Sequence, residues 1–418
     1  MPPGTATPRS GPGAALPTPP DELSARPVGR RPRRKREWSL RSRAVRGLLY
    51  QALALLAVAA VVWFLAHNTQ RNMEVRGIQS GFNFLGQAAG FDIGETMIAY
   101  DPSQSYGRAI WVGVLNTLRV ALLGIVLTTV LGVLVGIGRF SRNALVRGLC
   151  YGYVEMFRNV PILLQLLMWY LLFVDVLPPP QTAWNVADLF YLSKGGFSFP
   201  APVWDRGHAW MGAGLLAGLA VGGWWRRESQ RRFELTGHDR NRWAVPVAAA
   251  ICLAFAGWAA GGAPRSWSVP EQLPFMVDGG ISATPEFMAV LIGLVMYTAA
   301  FIAEVVRSGI QSVSHGQNEA ASALGLTQRM QMRLVVLPQA LRVIIPPMTN
   351  QYLNLTKNSS LAVVIGYPDV VSIANTTLNQ TGRAVECIAI IMLVYLCTSL
   401  GTSALMNWYN RHAAIKER

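Results

Sequence analysis

NEAASALGLTQRMQMRLVVLP, residues 318–338, is the one long polar-patterned, helix-prone stretch lying between two strongly apolar ones. Ala320, Ala321, Ala323 and Leu324 are good helix formers. Ahead of them, Ser314-His315-Gly316-Gln317 has the S-x-x-Q spacing of a capping box, which predicts a helix start at Ser314. Gly325 supplies a left-handed stop, and Thr327 can cap a second short helix. Pro338 is expected to force a bend before the next apolar run. Spacing alone leaves two readings: a solvated connector with a helical turn, or a surface that a membrane protein offers to a soluble partner on the cytoplasmic side.

The composition indicates a membrane. Of 418 residues, 51% are hydrophobic and only 14% are charged, too apolar a balance for a soluble globule. Several apolar runs reach the roughly 20 residues needed to cross a bilayer. The net charge of +15 does not point to nucleic acid, because the basic residues concentrate at segment ends, where orientation signals sit. Cys150, Cys252, Cys387 and Cys397 lie in apolar runs without a C-x-x-C pair, and the histidines are scattered, so neither a disulfide framework nor a metal site is expected. Nothing like GxxxxGK[ST] occurs, so any nucleotide hydrolysis belongs to another chain.

Eight membrane spans are expected, at 47–66, 111–138, 149–174, 208–225, 243–261, 286–306, 341–365 and 384–406. Gly132 and Gly136 in the second have the GxxxG spacing that lets a neighbouring helix approach closely. With the N-terminus inside, the cytoplasmic segments 1–46, 139–148, 226–242, 307–342 and 407–418 hold 27 basic residues. The external segments 67–108, 176–207, 262–285 and 366–383 hold seven. Residues 1–46, rich in Pro, Gly and Arg, read as a disordered basic cytoplasmic tail and not as a secretory signal. The external loops 67–108 and 176–207 are expected to hold short interfacial helices, and the prolines after Asp175 end the third span.

Two motifs carry a family resemblance. Glu319-Ala320-Ala321, Gly325 and Leu337-Pro338 about a dozen residues on closely resemble the E-A-A-x-x-x-G segment of ABC importer permeases. EMFRNVPILLQL, residues 155–166, resembles the E-x-x-R-G-T-P-x-L-x-Q-L motif of the polar amino-acid (histidine permease) family, with Asn159 and Val160 replacing Gly-Thr. Asn116-Thr117-Leu118, Glu304-Val-Val-Arg307-Ser-Gly309, Gly316-Gln317 and Lys357-Asn358-Ser359-Ser360-Leu361 match further family blocks. The enlarged form is similar to general L-amino-acid permease subunits.

The resemblance implies an all-α membrane protein with a MetI-like core of five helices, formed by 111–174 and by 286–406 with its cytoplasmic loop at 307–340. The helix at 47–66, the insertion 175–285 with two extra spans, and the ends at 1–46 and 407–418 fall outside that core. It implies a transport subunit with no catalysis and no cofactor of its own. A separate cytoplasmic ABC ATPase dimer, holding ATP and Mg, would dock on Glu319, Ala320, Ala321, Gly325, Leu337 and Pro338. A second permease subunit in a heterodimer, a periplasmic amino-acid-binding protein and the surrounding lipid complete the implied partners. The location would be the bacterial inner membrane, with both termini cytoplasmic and polar L-amino acids as a broad cargo.

Charged residues within or at the ends of spans (Arg119, Glu155, Arg158, Glu304, Lys357 and Glu386) face protein or water, since a lone charge at mid-membrane costs roughly 2.5–3.5 kcal/mol on insertion scales. Glu155 and Arg158 stand three apart on one helix face and are expected to pair. Either they brace helix packing, or their face lines the path, with Arg158 meeting a carboxylate and Glu155 an ammonium. Pro161 supports the second reading, because a broken helix frees backbone groups for a polar solute. Glu304 is expected to brace the loop, and Arg119 to snorkel or meet a neighbouring helix. In the seventh span Asn350, Asn354, Lys357 and Asn358 make one polar face, beside Thr349 and Gln351, that lines either the path or a subunit interface. The candidate path residues are thus Glu155, Arg158, Gln165, Gln351, Asn354, Lys357 and Asn358. An ion-coupled secondary transporter is the alternative, although no inverted repeat is visible and the docking loop would then have no purpose. A membrane enzyme lacks any HExxH or GxSxG pattern.

Overall fold

The structure, a computed structural model, describes residues 43–75, 77, 80–236 and 244–413. Most of the expected basic tail, the tip of the 226–242 segment and residues 414–418 lie outside the described residues. Backbone contacts divide the chain after Val75. The described part of the first unit is one helix, Arg43–Val75 (α1), which runs past both ends of the expected 47–66 span.

In the second unit the helices are Tyr106–Gly138 (α2), Ala144–Asn159 (α3), Ile162–Leu171 (α4), Arg206–Thr236 (α5), Ala244–Ala260 (α6), Pro285–Gln311 (α7), His315–Ala323 (α8), Gln328–Gln331 (α9), Leu337–Asn358 (α10), Val370–Thr381 (α11) and Ala384–Ala413 (α12). Four helices, α1, α2, α7 and α12, are long and apolar enough to cross a membrane, and two bent pairs raise the number to six at most among the described residues. The expected third and seventh spans are those bent pairs.

The core is built on α2 against α7, with α3, α4 and α10 also against α7 and α11 against α2. A Cβ at Gly132 would lie 2.7 Å from the Ile302 Cβ, and one at Gly136 would lie 2.8 Å from the Val306 Cβ, so the GxxxG face meets α7 at backbone distance. Burial of Val120, Phe287, Val290, Leu294, Ile365 and Tyr367 closes one end of this pair; Ile302, Val306, Ala340 and Ile344 close the other.

The third span is not one rod. α3 and α4 meet at 105° across Val160-Pro161. Pro161 has no N–H to donate, and its ring drives Val160 into the extended region, at φ −98° and ψ 129°. At the seventh span the opposite correction applies. α9, a wide π-type turn at Met332–Val336 and α10 form a single helical run, unbroken at Pro338. Pro338 sits in the first turn after the wide one, where its missing N–H and its ring are accommodated. The run ends in a 3₁₀ stretch at Ser359–Ile365, and α11 follows at 50°.

The insertion also differs from expectation. Its strands are Trp184–Val186 (β1), Phe190–Ser193 (β2), Gly196–Phe199 (β3), Ala201–Pro202 (β4), Trp267–Ser268 (β5), Glu271–Gln272 (β6), Val277–Asp278 (β7) and Ile281–Ala283 (β8). They form an antiparallel sheet of order β1-β2-β3-β8 and two small pairs, β4-β5 and β6-β7. The aromatic alternation of Phe190-Tyr-Leu and Gly196-Phe-Ser-Phe, hinged at Lys194-Gly195, has a strand period, and so the expected helix at 176–207 gives way to a hairpin and a 3₁₀ turn at Pro180–Thr182. In the 67–108 loop the short helix is a single 3₁₀ stretch, Phe82–Gly86, whose Phe84 is buried with Ile93, Tyr106 and Ile373.

The expected fourth and fifth spans correspond to α5 and α6, a hairpin whose extensive packing among the described residues is internal. α6 is apolar but has only 17 residues, and α5 is long but ends on a charged stretch, so neither qualifies as a span by length and composition.

Candidate coupling and translocation site

Residues 155–166 lie where the third span breaks. The break frees the last carbonyls of α3, and Gln165 answers them: its Nε2 donates to the Phe157 carbonyl at 3.0 Å and to the Val160 carbonyl at 2.8 Å. Gln165 is 2% exposed, so its amide is committed to the bend. Glu155 and Arg158 do not pair. The Glu155 carboxylate accepts from Asn159 Nδ2 at 3.2 Å, and Arg158 turns the other way, with Nη1 3.8 Å from Glu304 Oε2. Tyr153 donates to the Met296 carbonyl at 2.7 Å and so fixes α3 on α7.

Glu304 is the centre of an arginine cluster. Arg139 at the end of α2 meets it at 2.5 Å, Arg307 on α7 donates through Nε at 3.1 Å, and Arg158 on α3 stands at the edge. One carboxylate thus joins three helix ends; it braces the bundle itself more than the loop beyond it. Arg139 is almost completely enclosed, with a side chain 4% exposed and its guanidinium over the Tyr151 ring at 4.2 Å. Arg158 keeps 37% of its side chain exposed and reaches toward the Phe301 ring. The cluster carries more positive than negative charge, and Arg158 is the member positioned to meet a further anion.

The polar face of α10 turns away from the bundle. Asn350, Asn354 and Lys357 are exposed, while Gln351 and Asn358 are half-buried. The side chains of Asn350, Asn354 and Lys357 have no hydrogen-bond partner among the described residues, whereas the opposite face, with Tyr352, Leu355 and Thr356, is buried. Groups of this kind on a spanning helix require water or a partner chain.

The 318–338 stretch folds as a short helix, α8, a left-handed turn at Gly325, and α9 leading into the wide turn before α10. Ser314 precedes α8, but its side chain caps nothing; Gln317 instead accepts from Gln339 at 3.2 Å, so the capping box is not formed. Gly325 takes φ +72°, and Thr327 accepts from the Met330 N–H, both as the turn chemistry predicts. α8 is tied down by Gln331, whose Nε2 donates to Ser322 Oγ at 3.0 Å and to the Leu326 carbonyl at 2.9 Å. Arg142, from the α2–α3 connection, donates to Gln328 at 2.7 Å. Ala321 faces inward, while Glu319, Ala320, Ala323 and Gly325 face out and Leu324 is 79% exposed. Leu337 is partly exposed and Pro338 half-buried, one turn along the continuous helix.

At the other end of the bundle, Arg119 meets Glu95 from the 67–108 loop and lies over the Phe287 ring at 4.0 Å. Glu95 also accepts from Thr284, the cap of α7, at 2.6 Å. Asn116 Nδ2 donates to the Glu95 and Pro368 carbonyls, both at 2.9 Å. A polar cavity of about 300 Å³ opens beside these groups, lined by Asp92, Glu95, Thr284, Glu286 and Ser372 among others. Glu95 has no local sequence signal; the only hint is that Arg119 needs an anion.

The described helices thus make an apolar bundle that carries an exposed helix, α8, and a polar face on α10 without partners among the described residues. Residues 128–414 match the family described as binding-protein-dependent transport system inner membrane component, and the chain belongs to that family. It is 44% identical over 385 residues to the general L-amino acid transport system permease protein AapQ of Rhizobium johnstonii, covering 91% of this chain and 96% of that protein. It is 46% identical to the putative amino-acid ABC transporter permease protein YhdX of Escherichia coli, over 90% of this chain and 95% of that one. The glutamate/glutamine/aspartate/asparagine transport system permease protein BztB of Rhodobacter capsulatus is 39% identical, over 87% and 92%. Family membership sets aside the ion-coupled secondary transporter.

Proposed function

We propose that this chain is the permease subunit of an ATP-driven importer for L-amino acids. It would form half of a translocation path with a second, related permease subunit and receive cargo from a periplasmic binding protein. The observation that carries the reading is α8, a helix held firmly from behind whose outer face is a free acid, small residues and Leu324. Small side chains allow close approach, and an exposed leucine and an exposed carboxylate at the two ends of this surface suit a groove on a soluble ATPase. ATP and Mg would reside on that ATPase. The two subunits' α8 helices would be drawn together as it closes, shifting the population between inward- and outward-open bundles.

In this reading both termini are cytoplasmic and the α5–α6 hairpin lies in the inner membrane beside the core. Arg158 and the α10 face, Gln351, Asn354, Lys357 and Asn358, line the path or the contact with the second subunit, and Glu155 stands at its edge. Gln165 supports the path through the bend and not by touching cargo.

The test is copurification of the full chain with its ATPase, and amino-acid uptake by the reconstituted complex. Glu319→Lys is expected to remove the ATPase and abolish uptake while the chain still inserts. Uptake that continues without ATP and collapses with the proton gradient would overturn the proposal.

A further inference from the structure

We propose that the sheet β1-β2-β3-β8 is a lipid-anchoring surface, with its apolar face laid on the bilayer beside the ends of α4 and α7. This rests on the reading of the bundle as membrane-spanning, with α8 beyond the other end of α7.

The register divides the side chains of the sheet between two faces, because directly paired residues share a face and successive residues alternate. Trp184 pairs with Leu192, Val186 with Phe190, and Leu192 in turn with Phe197. On the last strand Ala283 pairs with Phe197, and Ile281 with Phe199. Every residue on this face is apolar. The opposite face holds Asn185, Tyr191, Ser193, Ser198 and Ser282. An antiparallel sheet with one side in water normally hides its apolar face and wets its polar one. Here the order is inverted. Tyr191, Ser193 and Ser198 are buried, whereas Trp184 is 58% exposed, Val186 is 66% exposed, and Phe190 and Ile281 are exposed beside them.

Continuity with the bundle selects the occupant. One row of the apolar face is already seated: Ala283 is buried in the cluster of Phe173, Leu177 and Phe287, and Leu192 packs against it. Phe173 lies in the last turn after α4, Leu172–Val176, and Phe287 in the first turn of α7. β8 leads directly into α7 through its cap, Thr284. The next row, Val186, Phe190, Phe199 and Ile281, stands two residues further along the strands and lies outside that cluster. The face that rests on the ends of two membrane helices therefore continues past them, turned the same way, toward the bilayer. No charged side chain stands on it. A soluble protein that came and went would leave this face to water in every cycle, and interfaces of that kind are only about 56–58% apolar. Phenyl rings without charge, with the Trp184 indole on the edge strand, suit the boundary between headgroups and acyl chains.

The experiment reconstitutes the full transporter complex in phosphatidylcholine nanodiscs with photoreactive p-benzoylphenylalanine in place of Phe190 or, in a parallel sample, in place of Leu400 on the exposed flank of α12. Adducts formed on illumination are identified by mass. Phosphatidylcholine adducts are expected at position 190. Val186→Asp, the neighbour on the same face, should lower them about fivefold, because a charge lifts the face out of the acyl boundary. Ser282→Asp puts the same charge on the opposite face and should leave them unchanged. A protein adduct at position 190 in place of lipid would overturn the anchoring surface and assign the face to a neighbouring chain. Lipid adducts that ignore Val186→Asp, or that fall equally with Ser282→Asp, would also overturn it. Lipid adducts at position 400 alone would remove the anchoring surface and leave the bundle in the bilayer, whereas lipid adducts at neither position would remove both.

Discussion

Gln165 Nε2 donates to the Val160 carbonyl at 2.8 Å, across the bend that Pro161 creates. Proline opens the helix; the glutamine four residues later repairs its polar accounts. Gln165→Leu has nearly the same volume but leaves two carbonyls, those of Phe157 and Val160, without their donor. The expected cost is about 1–3 kcal/mol, read as a lower Tm of the purified complex. Gln165→Glu should be at least as damaging, since a carboxylate offers those carbonyls no donor.

Glu304 and Arg158 should respond unequally. Glu304→Gln leaves Arg139, with a side chain 4% exposed, without its counter-charge, and removing one partner of a buried pair typically costs roughly 3–5 kcal/mol. Arg158→Gln disturbs an exposed group held only at 3.8 Å. Thermal denaturation of the two variants should show a large loss for the first and little for the second, while uptake falls in both.

At the α2–α7 contact even one methyl is too many. Gly132→Ala would place its Cβ 2.7 Å from that of Ile302, and overpacking of this kind costs about 1–3 kcal/mol. Gly148→Ala, in α3 with nothing within 4 Å, should instead be neutral or stabilising, by up to about 1 kcal/mol. Comparing their unfolding temperatures separates close packing from helix propensity.

On α8 the two alanines of the motif have opposite faces. Ala321→Leu should unseat the helix and lower the yield of folded protein, because Ala321 is only 3% exposed. Ala320→Leu should leave the chain folded and weaken only its association with the ATPase. Size-exclusion profiles with and without the ATPase distinguish the two.

Asn354→Leu and Lys357→Leu remove polar groups that have no partner within the described chain. The bundle should therefore form as before, and uptake should be lost. Unchanged uptake by an assembled complex would exclude both residues from the path.

What the sequence reveals depends on how locally each feature is determined. The end of α8 is legible because Gly325 and Thr327 act within a few residues, and the close-packing face of α2 because Gly132 and Gly136 share one face, although nothing local names α7 as the helix that meets it. The Arg139–Glu304 pair spans 165 positions and leaves no pattern to read. The i,i+3 rule proposed the wrong partner for Arg158: Glu155 lies within reach on the same helix, but the carboxylate on α7 is already held in place by Arg139 and Arg307. The proline rule succeeded at Pro161 and failed at Pro338, where the wide turn at Met332–Val336 absorbs the missing N–H. The strands of the insertion carried a two-residue period, but over runs of only three or four residues, too short to outweigh the expectation of interfacial helix.

The unbroken run from Gln328 to Asn358 would be about 46 Å long at the usual helical rise. Pivoted at one end, a tilt of only about 5° would sweep the opposite tip through roughly 4 Å, the width of a small solute. In the proposed function this run would be a lever arm with Lys357 and Asn358 near its far tip, and a stroke of a few degrees at the near end would open or shut an aperture without refolding.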